Sequence, residues 1–382
     1  MHIVDSLKSL VSGLGTAKDK SATMGHVLRV VGPEELNAMH RSDWLARKVV
    51  DIVPNDMTRE WRDWQAKGDQ IEAIEAVEKA PLINVAAKVN QALQTARLFG
   101  GSAIYIGIRG DNPAEPLDLA RIRKDDLHYL HVLSCYDITA GEIETDVGSE
   151  FYGEPRDYQV AGANGLTLTV HPSRVVRFIG AQILDRRQAA ANTWGDSILQ
   201  VVYDAVTNAS SAQQHIAALL PEAKLDVITI PGLGEATKTD AGRNALISRF
   251  TFANTAKSLL NAVLIDGNGK AGDGQQGEKW EQKQISFAQM PELMQQFLKV
   301  AAGAADITLM RLLQDAPSGQ GNNGQAALQS YYDNIAARQR TELSPAMHRL
   351  DEVIIRSALG SRPPEVYYEW APLWGLSEKE KA

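Results

Sequence analysis

The stretch Pro317–Gln325, PSGQGNNGQ, contains Gly319-x-Gly321-x-x-Gly324, the spacing with which a dinucleotide-binding loop approaches a pyrophosphate. That chemistry needs a buried strand before the loop, a helix after it, and an acidic residue about 20 positions on to hold the ribose. The preceding ADITLMRLLQDAP reads instead as the end of a helix, and no strand–helix–strand unit surrounds the glycines. GQAALQSYY does open a helix, whose first N–H groups suit an anion. Ser318–Gln325 carries no charged side chain, so the stretch is read as a flexible polar loop.

Other residues invite chemical readings. His40-x-Ser42 and His171-x-Ser173 have the paired His-x-Ser/Thr form of two-histidine phosphoesterases. Those enzymes place a hydrophobic residue after each element on a strand, whereas Asp43 and Arg174 follow here and Pro172 interrupts one copy. Ser42 or Asp43 reads as a helix N-cap, and His171-Pro172 as a turn into SRVVRFI. Asp266 and Asn268 are oxygen ligands of the kind calcium loops use, but Lys270 and Ala271 stand where an EF-hand needs a ligand and a glycine. Asp125 and Asp126, being adjacent, point to opposite faces of a strand and make a poor acid–base pair. Gly-x-Ser-x-Gly, Walker, HExxH and CxxC motifs are lacking, so no catalytic residue, cofactor or metal site is expected. Cys135 is the single cysteine, which excludes a disulfide within the chain and fits a reducing compartment.

Certain elements must position these residues. The 382 residues are 44% hydrophobic and 23% charged, values of a core-forming protein with about two or three domains. No apolar run is long enough to span a membrane, and MHIVDSLKSLVSGLG lacks the form of a secretory signal. The net charge of −8 weighs against broad electrostatic adhesion to nucleic acid. Residues 1–40 read as an arm. From Arg41 a helix presents Trp44, Leu45, Lys48 and Val49 until Pro54 ends it. A second helix opens at Pro81 and stops at Gly100-Gly101. Strand-like runs follow in SAIYIGIR, HYLHVLS, DYQV, GLTLTV and RVVRFI, with ANG as a hairpin turn, so 41–194 reads as one α+β domain.

Beyond it, Gly195–Leu220 is a long helix with Ile198, Val201, Val202, Ala205, Ala209, Ala212, Ile216 and Leu219 on its apolar face and almost no charge elsewhere. A lone exposed helix would carry more charge; one flanked by copies of itself need not. Residues 222–285 form an insertion with strands at LDVITIPG, VLIDG and KWEQKQIS and a helix at AGRNALISRFTFANTAKSLLNA. A helix over 289–306, a helix over 325–359 bent near Pro345, and a strand at EVYYEW complete the reading.

ARLFGGSAIYIGI (96–108), HPSRVVRFIG (171–180), WGDSILQVVYDAV (194–206), RLLQDAPSGQGNNGQAALQSYYDNIAARQ (311–339) and WAPLWGLSEKEKA (370–382) occur in the order found in phage portal proteins. The chain resembles that family, specifically a phage-associated branch. The resemblance implies an α+β portal fold and a ring-forming, non-enzymatic subunit, usually dodecameric, at one capsid vertex of the virion, assembled in the host cytoplasm. It implies an arm (1–40), a wing (41–194), a first stem helix (195–221), a clip (222–285) and a second stem helix (286–307). A tunnel loop (308–325), a long helix (326–360) and a return to the wing (361–382) follow. Ser318, Gly319, Gln320, Gly321, Asn322, Asn323, Gly324 and Gln325 would then face double-stranded DNA in the channel. The implied partners are further copies of the chain, the terminase large subunit, a head–tail adaptor and the major capsid or scaffold protein, with no membrane. Family members commonly continue into a C-terminal crown; with the sequence stopping at Ala382, either the crown is missing or the sequence ends before it. Two rival readings are a two-histidine phosphoesterase acting on cyclic oligonucleotides and a capsid adaptor that forms no ring.

Overall fold

The computed structural model describes residues 29–162, 167–185, 193–219, 224–229, 234, 237–260, 279–284, 287, 289–314 and 321–374. They belong to two compact units, Met1–Thr207 with Leu298–Ala382, and Asn208–Phe297.

In the larger unit, α1 (Pro33–Ser42) and α2 (Trp44–Arg59) come first. The region read as an arm therefore holds a helix. Pro33 starts α1, Glu34 and Glu35 occupy its first turn, and His40 and Arg41 its last, an order that suits the helix dipole. Residues 1–28 lie outside the described residues. Asp43 separates the two helices, and its carboxylate accepts from the Leu45 and Ala46 amides at 2.8 and 3.0 Å, capping α2.

Pro54 does not end α2, which continues to Arg59. A proline there removes the N–H that would reach the Val50 carbonyl. Arg97 supplies the missing donor: its Nε lies 3.2 Å from Val50 O and its Nη2 2.8 Å from Val49 O. The tolerance of Pro54 thus depends on a side chain 43 positions away in sequence (97 − 54).

After β1 (Arg62–Gln65) and α3 (Gly68–Glu78), two elements not read from the sequence, comes α4 (Val85–Phe99). The helix read from Pro81 begins four residues later, because Asn84 takes a left-handed φ of 32° between a turn and the helix. Gly100 closes α4 at φ 93°, and a Cβ there would meet the Gly195 carbonyl at 2.3 Å.

The central strand β2 (Gly101–Ile108) pairs antiparallel with β3 (Leu127–Ser134) and will pair on its other side with β7. Both of its faces are buried. Ser102 on one face donates to Ala92 O of α4 at 2.6 Å, while Ala103 and Tyr105 on the other pack with Leu133, Ile138, Tyr158, Val170 and Trp194. The latter cluster draws on a second antiparallel sheet, β4 (Ile138–Ala140), β5 (Tyr158–Ala161) and β6 (Thr167–Val170). The β5–β6 pairing follows the hairpin reading; its ANG turn lies outside the described residues. β7 (Val175–Ile179) completes the first sheet in the order β3-β2-β7.

The helix α5 (Ile198–Leu219) buries Leu199, Val202, Val206 and Ala209, whereas Val201, assigned to the apolar face from sequence, is 68% exposed. In the smaller unit β8 (Lys224–Thr229) pairs antiparallel with β9 (Lys279–Gln284), and α6 (Asp240–Leu260) lies between them in sequence. VLIDG and the glycine-rich stretch after it lie outside the described residues.

The chain continues through α7 (Met290–Ala304), α8 (Leu309–Leu313), α9 (Gly321–Arg338) and α10 (Ser344–Leu359). A π turn over Gln339–Leu343 joins the last two, immediately before Ser344-Pro345. The bend read at Pro345 is thus a widened turn, in which Ser344 Oγ reaches Gln339 O at 3.1 Å. Met347, Leu350, Val353 and Ile354 of α10 are fully buried. β10 (Tyr367–Trp370) returns to pair antiparallel with β1, Arg62 opposite Trp370. Among the described residues no helix is long and apolar enough to cross a membrane.

Candidate channel loop and its anchors

Of the residues read as the tunnel loop, Ser318, Gly319 and Gln320 lie outside the described residues. Gly321, Asn322, Asn323, Gly324 and Gln325 belong to α9, which starts four residues before the helix expected from sequence. The helix formers Gln325, Ala326, Ala327 and Leu328 extend the helix backwards through weaker residues, since adding a residue to an existing helix is easier than nucleating one. The interval is further shortened at its other end by α8, which closes at Gln314 with φ 57° and an N–H to Met310 O of 2.8 Å.

Both ends of the interval are tied to α2. Asp56, 0% exposed, accepts from Arg311 Nε and Nη2 at 2.9 Å each, one bond to either carboxylate oxygen. The same carboxylate accepts from the Tyr331 hydroxyl at 2.8 Å. Arg311 stands on α8, before the interval, and Tyr331 on α9, after it, so one buried acid fixes both edges. Lys48 Nζ adds a bond to Leu312 O at 2.5 Å, and Arg59 donates to the Tyr332 hydroxyl at 3.1 Å. Hydrogen bonding to Asp56 raises the affinity of Arg311 for its proton. Burial, then the Asp56 charge, drives Tyr331 far above the usual phenol range. Arg311 and the Tyr331 phenol therefore keep their protons at any ordinary pH, and the arrangement anchors α8 and α9 to α2.

Sequence reasoning missed Asp56, Arg311 and Tyr331 in this role. Arg311 and Tyr331 flank the glycine stretch almost symmetrically, which was a usable signal. The sequence hides Asp56 because Pro54 reads as the end of its helix.

The helices that precede this assembly are poor in charge. Asp204 is the single acidic or basic residue of α5 apart from His215, and α7 has Glu292 and Lys299. Apolar side chains stand exposed on both: Val201 at 68%, Leu293 at 50% and Val300 at 61%.

The two histidine elements stay apart in their bonding. His40 Nε2 meets Asp51 Oδ1 at 3.0 Å between α1 and α2. His171 Nδ1 meets Ser173 Oγ at 2.8 Å and caps the short turn that leads into β7. Burial, followed by the charges of Arg174 and Arg349, lowers the affinity of His171 for a proton. No hydrogen bond joins the two histidines among the described residues, and the same residues hold no cluster able to bind a metal. Asp125 sits at φ 66° in a turn, and Asp126 accepts from the Arg123 amide at 2.7 Å.

Three small antiparallel sheets among helices in the larger unit, a second unit formed by an insertion, and a long helical run returning to the first strand belong to an α+β portal fold. Residues 34–382 match the phage portal protein family, and the chain belongs to it. It is 65% identical over its whole length to a protein of Caulobacter sp. (strain RHG1) named anti-CBASS protein Acb1, covering 61% of that protein. A protein of Sphingomonas paeninsulae with the same name is 41% identical over 99% of this chain and 60% of its own length. The chain thus spans about three fifths of the length of these curated relatives. Among solved structures, a chain from the neck of a native GTA particle, computed with C12 symmetry, superimposes with a TM-score of 0.51 at 15% identity. That likeness covers 92% of this chain and 88% of the other, and it is a likeness of fold.

Proposed function

We propose that copies of this chain close into a ring, a dodecamer, at one vertex of a capsid, and that double-stranded DNA enters and leaves through its axial hole. The carrying observation is the double anchoring of the segment around residue 320: an uncharged stretch of glycine, asparagine and glutamine whose two edges are tied to one buried carboxylate. A segment that meets moving DNA needs a fixed base and a weakly attractive tip. Lysines or arginines there would release counterions on contact and grip the duplex. Asn322, Asn323 and Gln320 offer hydrogen bonds to phosphates without a fixed charge. The net charge of −8 per chain adds to the resistance against adhesion, within the short reach of screened fields. In this reading the wing meets the capsid or scaffold protein, and the clip meets the terminase large subunit and later the head–tail adaptor. The hydrolysis of ATP belongs to the terminase, and the ring acts as a conduit in the virion after assembly in the host cytoplasm.

Shortening Ser318–Gly324 by four residues is expected to leave ring formation intact and to abolish DNA packaging or retention. Rings that fail to assemble after this deletion would make the segment an assembly element and overturn the reading.

The name shared by the two relatives, anti-CBASS protein, is not that of a conduit, and the alternative reading of this chain is the two-histidine phosphoesterase. That name belongs to proteins of which this chain matches about three fifths. Here His40 and His171 each hold a separate structural bond, to Asp51 and to Ser173, which favours the conduit over that chemistry.

A further inference from the structure

A cavity of about 540 Å³ in the larger unit is bordered by the end of α9, the edge strand β7 and the start of α5. Part of its wall is apolar, at Met57, Leu93 and Ile198. Three arginines also line it, Arg97 from α4, Arg177 from β7 and Arg338 from the last turn of α9. Glu342 lines it too, so the lining residues carry an excess of two positive charges (three arginines less one glutamate). These arginines are poorly matched by acids. Arg97 gives two donors to the Val50 and Val49 carbonyls. Arg177 donates to the Thr193 carbonyl and stacks over Trp194 at 4.8 Å, while its Nε is buried with no acceptor. Arg338 approaches Asp306 only at 3.8 Å. Burial, then the charge of Arg338, lowers Arg97 to about 10. Like charges held against an apolar wall are costly until an anion joins them, and the guanidinium fork matches the oxygens of phosphate and carboxylate.

We propose that this cavity is a binding site for a compact oxyanion, phosphate or carboxylate, held by Arg97, Arg177 and Arg338. Its volume lies within the roughly 300–1,000 Å³ of small-ligand sites. The oxyanion is either free phosphate or the side-chain carboxylate of a neighbouring copy; the second source rests on the ring reading, the site itself does not.

The test uses the full chain, separated by size into monomeric and assembled fractions. Inorganic phosphate is titrated at constant ionic strength against chloride, with thermal melting and calorimetry as readouts. The monomer is expected to show a saturable rise in Tm. Arg338→Gln should weaken phosphate binding about tenfold, the loss of one charge-assisted hydrogen bond. Glu342→Gln, which removes the opposing charge, should tighten it. Opposite responses from two folded variants separate binding from general destabilisation. Phosphate that binds both fractions supports the site with free phosphate as its occupant; binding to the monomer alone supports it with a neighbour's carboxylate. A monomer with no saturable response, or identical responses in all three proteins, would overturn the proposal. A chain that never assembles would defeat the ring and leave the monomer titration decisive for the cavity.

Discussion

Arg62 is the most deeply committed charge in the molecule's larger unit. Its side chain is 0% exposed, and it donates to Glu78 from Nε and Nη2 at 3.0 and 2.6 Å and to Asp351 from Nη1 at 2.5 Å. Trp64 and Tyr368 present their ring faces to the guanidinium at 4.6 Å each. This group joins α3, α10, β1 and β10, so it holds the returning strand β10 to the early elements of the larger unit. Arg62→Met would leave two buried carboxylates without a cation and is expected to cost about 3–5 kcal/mol, read as a fall in Tm. Asp351 also titrates away from the ordinary aspartate range. Burial and the charge of Glu78 raise Asp351 to about 6, against the opposing pull of Arg62. The folded value then exceeds that of an unfolded aspartate, near 3.9. The folded chain consequently holds more protons between these values, and this group's contribution is fully present below about 4 and lost as pH rises through about 6. Melting from pH 4 to pH 7 should show this loss in the wild type and not in Asp351→Asn. Parallel pH profiles would contradict it.

Among the elements, α5 tests assembly most directly. Ala209, on the apolar face read from sequence, is 1% exposed within a single chain, so a glutamate there would damage the subunit itself. Val201 is the informative position: it is exposed, apolar, and on a helix with a single acidic residue. Val201→Glu should leave the melting of the monomer within about 0.5 kcal/mol, as for a surface change, and reduce assembly severalfold. Normal assembly yield in size-exclusion profiles would count against packing between copies along this helix. The elements that were legible in sequence were those with strong periodicity or clear stops. β2, β3 and β7 could be read from their β-branched runs, and α4 from its stripe and its Gly100-Gly101 end. Others were obscured by interactions distant in sequence. α2 passes Pro54 because Arg97 replaces the lost donor, and no local pattern announces that. The glycines before α1 mask it by suggesting an arm, and α9 starts early because the helix propagates into poor formers. At the site, composition identified the uncharged segment. Its anchor was not legible, since Asp56, Arg311 and Tyr331 converge from positions that span 275 residues (331 − 56).

At the scale of the whole molecule, single-chain features point outward. The exposed valines and leucine on charge-poor helices and the doubly tied loop are hard to explain in a solitary subunit. They are accounted for together if copies surround an axis and the loop is held against a moving polymer. The size of the assembly in solution tests this account most directly. Mass photometry with negative-stain images of the purified chain should give closed rings with a central hole, at about twelve times the 41.7 kDa chain mass. A single species at the mass of one chain, at every concentration up to those used for imaging, would contradict it.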